Sequence, residues 1–313
     1  MHYTQNTIRI LVAAYNGSAY LRPLLDSLLV QDDQDYDIVV SDDGSTDDTP
    51  QILADYAAQY PEKIRFYRSG HRFGSSQLHF FHLMSVFQDA PYLMFCDQDD
   101  VWHPDKVRLT RAAMERLAAN GAPALVHTDL RVVDRELQEI APSFLRFSGL
   151  NGRRVALSDL LVQNVVTGCT MMINRSLARL CCSAPPRKEM RMHDWWLALL
   201  AASCGKIGFL NEATIDYRQH GNNVVGAKNV KSPAYLLRRL RHNNFHESFL
   251  ETTAQAAALA EAYGDRMPAE QRRLCETFAS LPQRSKLQRL RLYRQYHFYK
   301  QNLPRRIGQI LWW

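Results

Sequence analysis

The chain has 313 residues, 46% of them hydrophobic, enough to bury a sizeable core in one large domain with an appendage or in two domains. Its net charge of +6 is unevenly spread: residues 231–313 carry 15 Lys and Arg against 6 Asp and Glu, a net +9, which leaves −3 on residues 1–230. A slightly acidic body joined to a basic tail excludes a nucleic-acid-binding surface running over the whole chain.

The six cysteines (Cys96, Cys169, Cys181, Cys182, Cys204, Cys275) form no Cys-x-x-Cys pair, and no secretory leader precedes the first apolar run. Both features fit a reducing cytoplasm rather than a disulfide framework or a zinc site. No apolar stretch reaches the roughly 18–20 residues that span a bilayer.

In chain order, "IRILVAAY" (8–15) predicts a buried strand, ended by "NGS". Leucines at 21, 24, 25, 28 and 29 then recur at helical spacing. "YDIVVS" (36–41) predicts a second strand, stopped by "DDGSTDDT", whose small polar residues suit a turn and the cap of a helix near 48–59. "IRFYR" predicts a third strand, followed by a helix from about Ser75 to Phe87. "YLMFC" (92–96) predicts a fourth, and Pro104 suits the first turn of a helix running to about Ala119.

Beyond this, "ALVHTDLRVVD" (124–134) and "TGCTMMINR" (167–175) read as strands, "HDWWLALLAASCG" (193–205) as a helix, and "KIGFLN" and "ATIDYRQHG" as two more strands. The alternation predicts an α/β fold, a mostly parallel sheet with helices on both faces. Ligands of such sheets bind beyond the carboxyl ends of the strands. "YNG", "DDGS" and "DQDD" all lie there, so three polar clusters converge on one rim.

"FCDQDDVWH" (95–103) packs Asp97, Asp99 and Asp100 into four positions. Like charges so close have two principal physical solutions: Arg, Lys or helix-cap partners, or a divalent cation with oxygen ligands. The cluster is too short for a calcium loop. Two or three carboxylates suit Mg2+ or Mn2+ completed by water and substrate phosphates.

"ILVAAYNGSAYLRPLLDSL", "IVVSDDGSTDDT" and "FCDQDDVWHPDK" together resemble family 2 of the inverting nucleotide-sugar glycosyltransferases, which have the GT-A fold. "CDQDDVW" with "TGCTMMINR", "HDWW" and "YRQHGNN" is similar to the rhamnosyltransferase-like branch. The resemblance covers residues 8–225. It implies that Ala13, Tyr15, Asn16, Asp42, Asp97 and Gly168 line the nucleotide-sugar site, with Tyr15 against the nucleobase, Asp42 accepting a base N–H and Asp97 on the ribose hydroxyls. It further implies Asp99 and His220 as ligands of Mg2+ or Mn2+, and Asp194 as the general base. Where many members carry Glu before that Asp, His193 stands here. Arg218, two residues before His220, is a candidate to add positive charge at the diphosphate.

From the residues alone, Tyr15 can also be sheet-edge packing, Asp42 and Asp194 helix caps, His220 a loop histidine, and Gly168 a site of close backbone approach. His79 and His82 read as ordinary helix residues, and Trp195 and Trp196 as core plus pocket wall.

The expected function is metal-dependent transfer of a sugar from a nucleotide-sugar donor onto a glycan or lipid-linked saccharide in cell-surface polysaccharide synthesis. dTDP-L-rhamnose is the donor that the branch implies, and UDP-sugars are the alternative. A nucleotidyltransferase would show a glycine-rich basic phosphate loop after the first strand, which "AAYNGSAYLR" is not. A non-catalytic membrane-bound scaffold would have lost Asp99 or Asp194.

The catalytic domain is expected over 1–230 and a basic helical region over 231–313. Residues 284–306 hold eight basic residues and no acidic one, with Leu287, Leu290, Tyr293 and Tyr296 at three-residue steps. A basic face beside a Leu/Tyr/Trp face suits an anionic membrane surface and a peripheral location on the inner face of the cell membrane. The competing reading packs that stripe on the catalytic domain. No RNA-binding signature accompanies the arginines, so nucleic acid is not an expected partner.

Overall fold

The structure, a computed structural model, describes residues 8–219 and 245–313. Its first half runs β1 (Ile8–Ala14), α1 (Ser18–Leu29), β2 (Tyr36–Asp42), α2 (Thr49–Gln59), β3 (Ile64–Tyr67), α3 (Ser76–Phe87), β4 (Tyr92–Asp97), β5 (Val101–Trp102) and α4 (Lys106–Leu117). Next come β6 (Ala124–Val133), β7 (Glu139–Ala141), the short helices α5 (Phe144–Phe147) and α6 (Leu157–Val162), β8 (Met172–Asn174), α7 (Arg175–Cys182), α8 (His193–Cys204) and β9 (Lys206–Arg218). Four C-terminal helices follow: α9 (Phe245–Tyr263), α10 (Ala269–Ala279), α11 (Lys286–Tyr296) and α12 (Leu303–Trp312).

The strands form one sheet in the order β3-β2-β1-β4-β8-β6-β9-β5, with β7 on β6. β1 pairs in parallel with β2 and β4, and β2 with β3, as the strand–helix alternation requires. The second half is mixed: β8 runs antiparallel between β4 and β6, whereas β6 and β9 are parallel.

The central strands are apolar on both faces because both are covered. Leu11, Val39, Leu93 and Phe95 enter a cluster with α3, α6, α8 and the C-terminal helices. Their neighbours Ile10, Val12, Ile38, Val40 and Met94 enter a second cluster with α1, α2 and α4. Arg9, buried in β1, is held by a two-point bond to Asp37, its register partner on β2, at 2.7 and 2.6 Å.

Two expectations change. "KIGFLN" and "ATIDYR" are one strand, β9, and the polar break between them lies where its register against β6 shifts, so that Asn211 and Glu212 are left out of the ladder. "TGCTMMIN" is strand only from Met172. Gly168–Thr170 is a buried 3-10 turn closed by the Thr170 N–H on Thr167 O at 2.9 Å. Among the described residues no helix is long and apolar enough to cross a membrane.

The C-terminal helices share the core of the catalytic sheet rather than hanging from it. Trp196 of α8 lies 6.2 Å from the Tyr263 ring, and the Tyr263 hydroxyl donates to Cys181 O. Tyr293 is buried, with Leu290 and Tyr296 packed beside it. Three of the four residues of the expected membrane stripe therefore face the protein.

Candidate active site

The three polar clusters meet at the carboxyl ends of β1, β2 and β4. Gln98 clasps Tyr15, its Oε1 accepting the Tyr15 N–H at 2.6 Å and its Nε2 donating to Tyr15 O at 2.9 Å. Asn16 donates its N–H to Ser45 Oγ and accepts from the Thr46 N–H, both at 2.8 Å. Asp42 receives the Gly44 and Ser45 N–H groups on Oδ2, each at 3.0 Å, and the Ser45 hydroxyl on Oδ1. A carboxylate has about four acceptor positions, so Asp42 is anchored in its turn and can still receive a donor. Ala13 has its methyl in the apolar core and sets Ser41 and Asp97 in register on either side.

Asp43, the second residue of DDGS, and Arg72, which has no sequence signal, join this rim. Buried Asp43 accepts the Phe73 N–H at 2.5 Å and the Gly74 N–H at 2.8 Å. The Phe73 ring lies against His79 at 5.1 Å and His82 at 4.8 Å, which gives those two helix residues a structural task. The loop so pinned brings Arg72 to Tyr15: its guanidinium donates to the Tyr15 hydroxyl at 2.8 Å and sits 5.3 Å from the ring centroid. An exposed aromatic ring, a guanidinium and an anchored carboxylate make a flat, polar-edged platform.

Two cations, Lys106 and Arg218, lie behind the DQDD turn. Asp100 is fully buried, and among the described residues its carboxylate oxygens meet no hydrogen-bond partner of good geometry, with the Cys169 thiol beside them. Burial, then Asp99 and Asp97, push its pKa well above the carboxylate range. The Lys106 ammonium, equally buried, lies 4.5 Å from the Trp102 ring centroid. Burial lowers its pKa to about 8, while Cys169, Cys96 and Asp100 act the other way. Arg218 donates Nε to Asp99 O at 3.0 Å and Nη1 to Arg135 O at 2.5 Å, bracing the turn from β9.

Asp97 ends β4, and burial, with Asp99 and Asp194 nearby, raises its pKa to about 7. Asp97, Asp100 and Cys169 bring ligand atoms within 4.8 Å of one another, a group of which Asp99 is not a member. Burial pushes the Cys169 thiol well up, so it stays protonated, and the oxygens are the better ligands for a hard cation. His220, the other expected metal ligand, lies outside the described residues.

Asp194 stands in the first turn of α8, where backbone N–H groups and the helix dipole favour an anion. Its Oδ2 accepts the Gly168 N–H at 3.1 Å, and its Oδ1 accepts Asn164 Nδ2 at 3.2 Å and the Trp195 N–H at 2.5 Å. Burial outweighs these bonds and raises its pKa to about 7. Gly168 therefore orients Asp194, through the 3-10 turn. A Cβ at that position would fall 2.6 Å from His193 Nε2.

His193 is buried with its ring 4.6 Å from Phe80 and 5.5 Å from Phe95. Among the described residues neither ring nitrogen has a hydrogen-bond partner, and burial lowers its pKa to about 3, so it is a neutral wall. Trp196 is core; half-buried Trp195 donates Nε1 to Leu160 O at 2.7 Å.

Residues 9–180 match the model of Glycosyl transferase family 2. The chain belongs to glycosyl transferase family 2. Over 258 residues this family 2 enzyme is 27% identical to the dTDP-rhamnosyl transferase RfbG of Shigella flexneri, covering 80% of the chain and 85% of the relative. In fold it resembles S. aureus TarS 1-349, solved in complex with UDP-GlcNAc, with a TM-score of 0.55 at 17% identity over 83% of this chain and 71% of that one. It also resembles GalNAc-T7, solved with UDP, GalNAc and Mn2+, with a TM-score of 0.56 at 12% identity over 83% of this chain and 54% of that one. The expected GT-A fold and glycosyltransferase activity stand.

Of the residues singled out in the sequence, Tyr15, Asn16, Asp42, Asp97 and Asp99 gather at the strand ends of the family 2 core, and Asp194 comes to Asp97 from α8. Arg218 braces the same rim from behind, Ala13 sets its register, and Gly168 holds Asp194.

Proposed function

We propose that this family 2 enzyme transfers a sugar, with inversion, from a nucleoside diphosphate donor to a hydroxyl of a glycan or lipid-linked saccharide acceptor. The observation that carries the reading is the setting of Asp194: a buried carboxyl with a pKa of about 7, aimed by Gly168 and Asn164, beside the Asp97 end of the nucleotide rim. Such a group is half ionised at neutral pH and suits proton abstraction, worth about 10²–10⁴ in rate. In the transfer, an Asp194 oxygen takes the acceptor O–H proton as that oxygen bonds to the anomeric carbon. The bond from the anomeric carbon to the diphosphate breaks, and the nucleoside diphosphate leaves with the electron pair.

Tyr15, Arg72 and Asp42 would hold the base, and Asp97 the ribose. Asp99 would hold Mg2+ or Mn2+ next to the Asp97 and Asp100 carboxylates that gather there, oxygens suited to a hard cation. The cation, when bound, neutralises charge on the departing diphosphate. A metal fits this chemistry, and GalNAc-T7 was solved with Mn2+. The proposed donor is dTDP-L-rhamnose, a dTDP-rhamnose as in the name of the Shigella relative, and the basic C-terminal region supports work at the inner membrane face.

The test is Asp194→Asn, assayed in Mn2+ with dTDP-L-rhamnose and with UDP-sugars. Transfer should fall at least about a hundredfold while the donor Kd stays within a factor of about three. Loss of donor binding, or transfer that persists, would remove Asp194 from the role of base. Turnover of UDP-sugars alone would replace the donor.

A further inference from the structure

The C-terminal helix α12 presents its apolar side outward. A helix on a water-soluble domain normally buries that side. Here Leu303, Ile307 and Leu311, at i, i+4 and i+8, are 68%, 47% and 52% exposed, and Leu287 and Trp312 are 72% and 38% exposed. Two polar residues of the helix, Arg305 and Gln309, are buried on the inward side, while Arg306 is exposed. Gln309 is fully buried, accepting the Lys300 N–H at 2.8 Å and donating to Phe298 O at 2.7 Å. Gly308 lets Phe245 lie against the helix backbone, where a Cβ would meet its ring at 2.6 Å. The outward stripe is therefore fixed by the packing beneath it.

The stripe continues onto α11. Lys286 Nζ donates to Leu311 O at 3.2 Å, which brings the start of α11 to the end of α12, and the exposed Leu287 follows Lys286 in the chain. Trp312 lies flat on Phe245, with ring centroids 5.1 Å apart. The exposed cations Arg284, Lys286, Arg291, Arg294 and Arg306 belong to the same two helices and their flanks. No Asp or Glu occurs anywhere from 284 to 313.

We propose that Leu287, Leu303, Ile307, Leu311 and Trp312 form a membrane-inserting surface: α12 lies in the plane of an anionic bilayer, with the surrounding Arg and Lys residues on its headgroups. Apolar side chains at the acyl boundary, a tryptophan at headgroup level and cations meeting anionic lipid form the chemistry of an interfacial helix. The proposal deepens the membrane part of the proposed function, and its residues differ from the Leu290, Tyr293 and Tyr296 stripe, which is core. Vesicle binding needs no substrate, so its failure is separable from failure of the catalytic reading.

The full chain should co-sediment with phosphatidylcholine vesicles containing phosphatidylglycerol and bind vesicles of phosphatidylcholine alone at least about tenfold more weakly, with salt reducing the difference. Leu303→Ser/Ile307→Ser/Leu311→Ser should lose binding at least about tenfold while keeping its Tm and its turnover of a water-soluble acceptor. Brominated lipids should quench the wild type more than Trp312→Phe. Vesicle binding unchanged in the triple variant, with loss only on Arg and Lys substitution, would overturn insertion in favour of simple charge attraction. Absence of vesicle binding, with a dimer that the triple variant converts to monomer, would assign the stripe to a second copy of the chain and overturn the proposal.

Discussion

At Asp194 two opposed effects are legible atom by atom. Three N–H donors from Gly168, Asn164 and Trp195 stabilise the carboxylate, and burial destabilises it by more, so its pKa rises to about 7. The sign has two consequences. As the proposed base, Asp194 must be ionised to accept a proton, so kcat/KM for the acceptor at saturating donor should climb about tenfold per pH unit below 7 and level off above it. Asp194→Asn should flatten that limb along with the loss of rate. For stability, the native state keeps a proton between about pH 4 and 7 that the unfolded chain releases at its ordinary carboxylate pKa. This contribution is complete below the unfolded pKa and is lost as pH rises through 7. The Tm of Asp194→Asn relative to wild type should therefore increase from pH 4 to pH 8. A constant difference would mean that Asp194 titrates normally.

The elements around that carboxylate divide into those that pattern reveals and those that contact alone reveals. β1, β2, β4 and helices α1 to α4 were readable because hydrophobic period and strand ends are local properties, and they sufficed to gather Tyr15, Asp42 and Asp97 at one rim. Arg72 was not readable: it reaches Tyr15 because Asp43, about thirty residues earlier in the chain, ties down its loop. The turn at Gly168–Thr170 was read as strand because every residue in it is buried, and burial imitates a strand in a short apolar run. In the proposed mechanism its shape sets the base. In Gly168→Ala the new methyl would collide with His193, which is wedged against Phe80 and Phe95 and cannot retreat freely. The turn must shift and the Gly168 N–H leaves Asp194, which should cost about tenfold to a hundredfold in kcat with little change in donor Kd. Adding His193→Ala makes room and should restore part of the rate. An unaltered kcat in the single variant would mean that the turn does not set the base.

At the scale of the molecule, the charge split between body and tail suggests two units, yet the packing joins them. Gln301 accepts the Asn151 N–H at 2.6 Å and donates its own N–H to Gln163 at 2.9 Å, and Gln255 accepts the Arg191 N–H at 2.9 Å, three residues before Asp194. The last residue, Trp313, is buried against Phe249 at 5.1 Å and Phe278 at 6.5 Å, with the Lys300 ammonium over its ring at 4.4 Å. Phe249 and Phe278 belong to the apolar cluster that also holds Trp196 and Leu197 of α8. Deleting the basic tail would consequently open the core as well as remove the proposed membrane surface, and so cannot test membrane binding by itself. Trp313→Ala isolates the core contribution without touching the exposed stripe. It should cost about 3–5 kcal/mol of stability, typical of a large buried aromatic truncated to alanine. Urea unfolding followed by circular dichroism should show one transition at lower midpoint, with transfer activity lost over the same range. A second transition, in which the C-terminal helices melt while the catalytic sheet and its activity persist, would make residues 245–313 an independent unit.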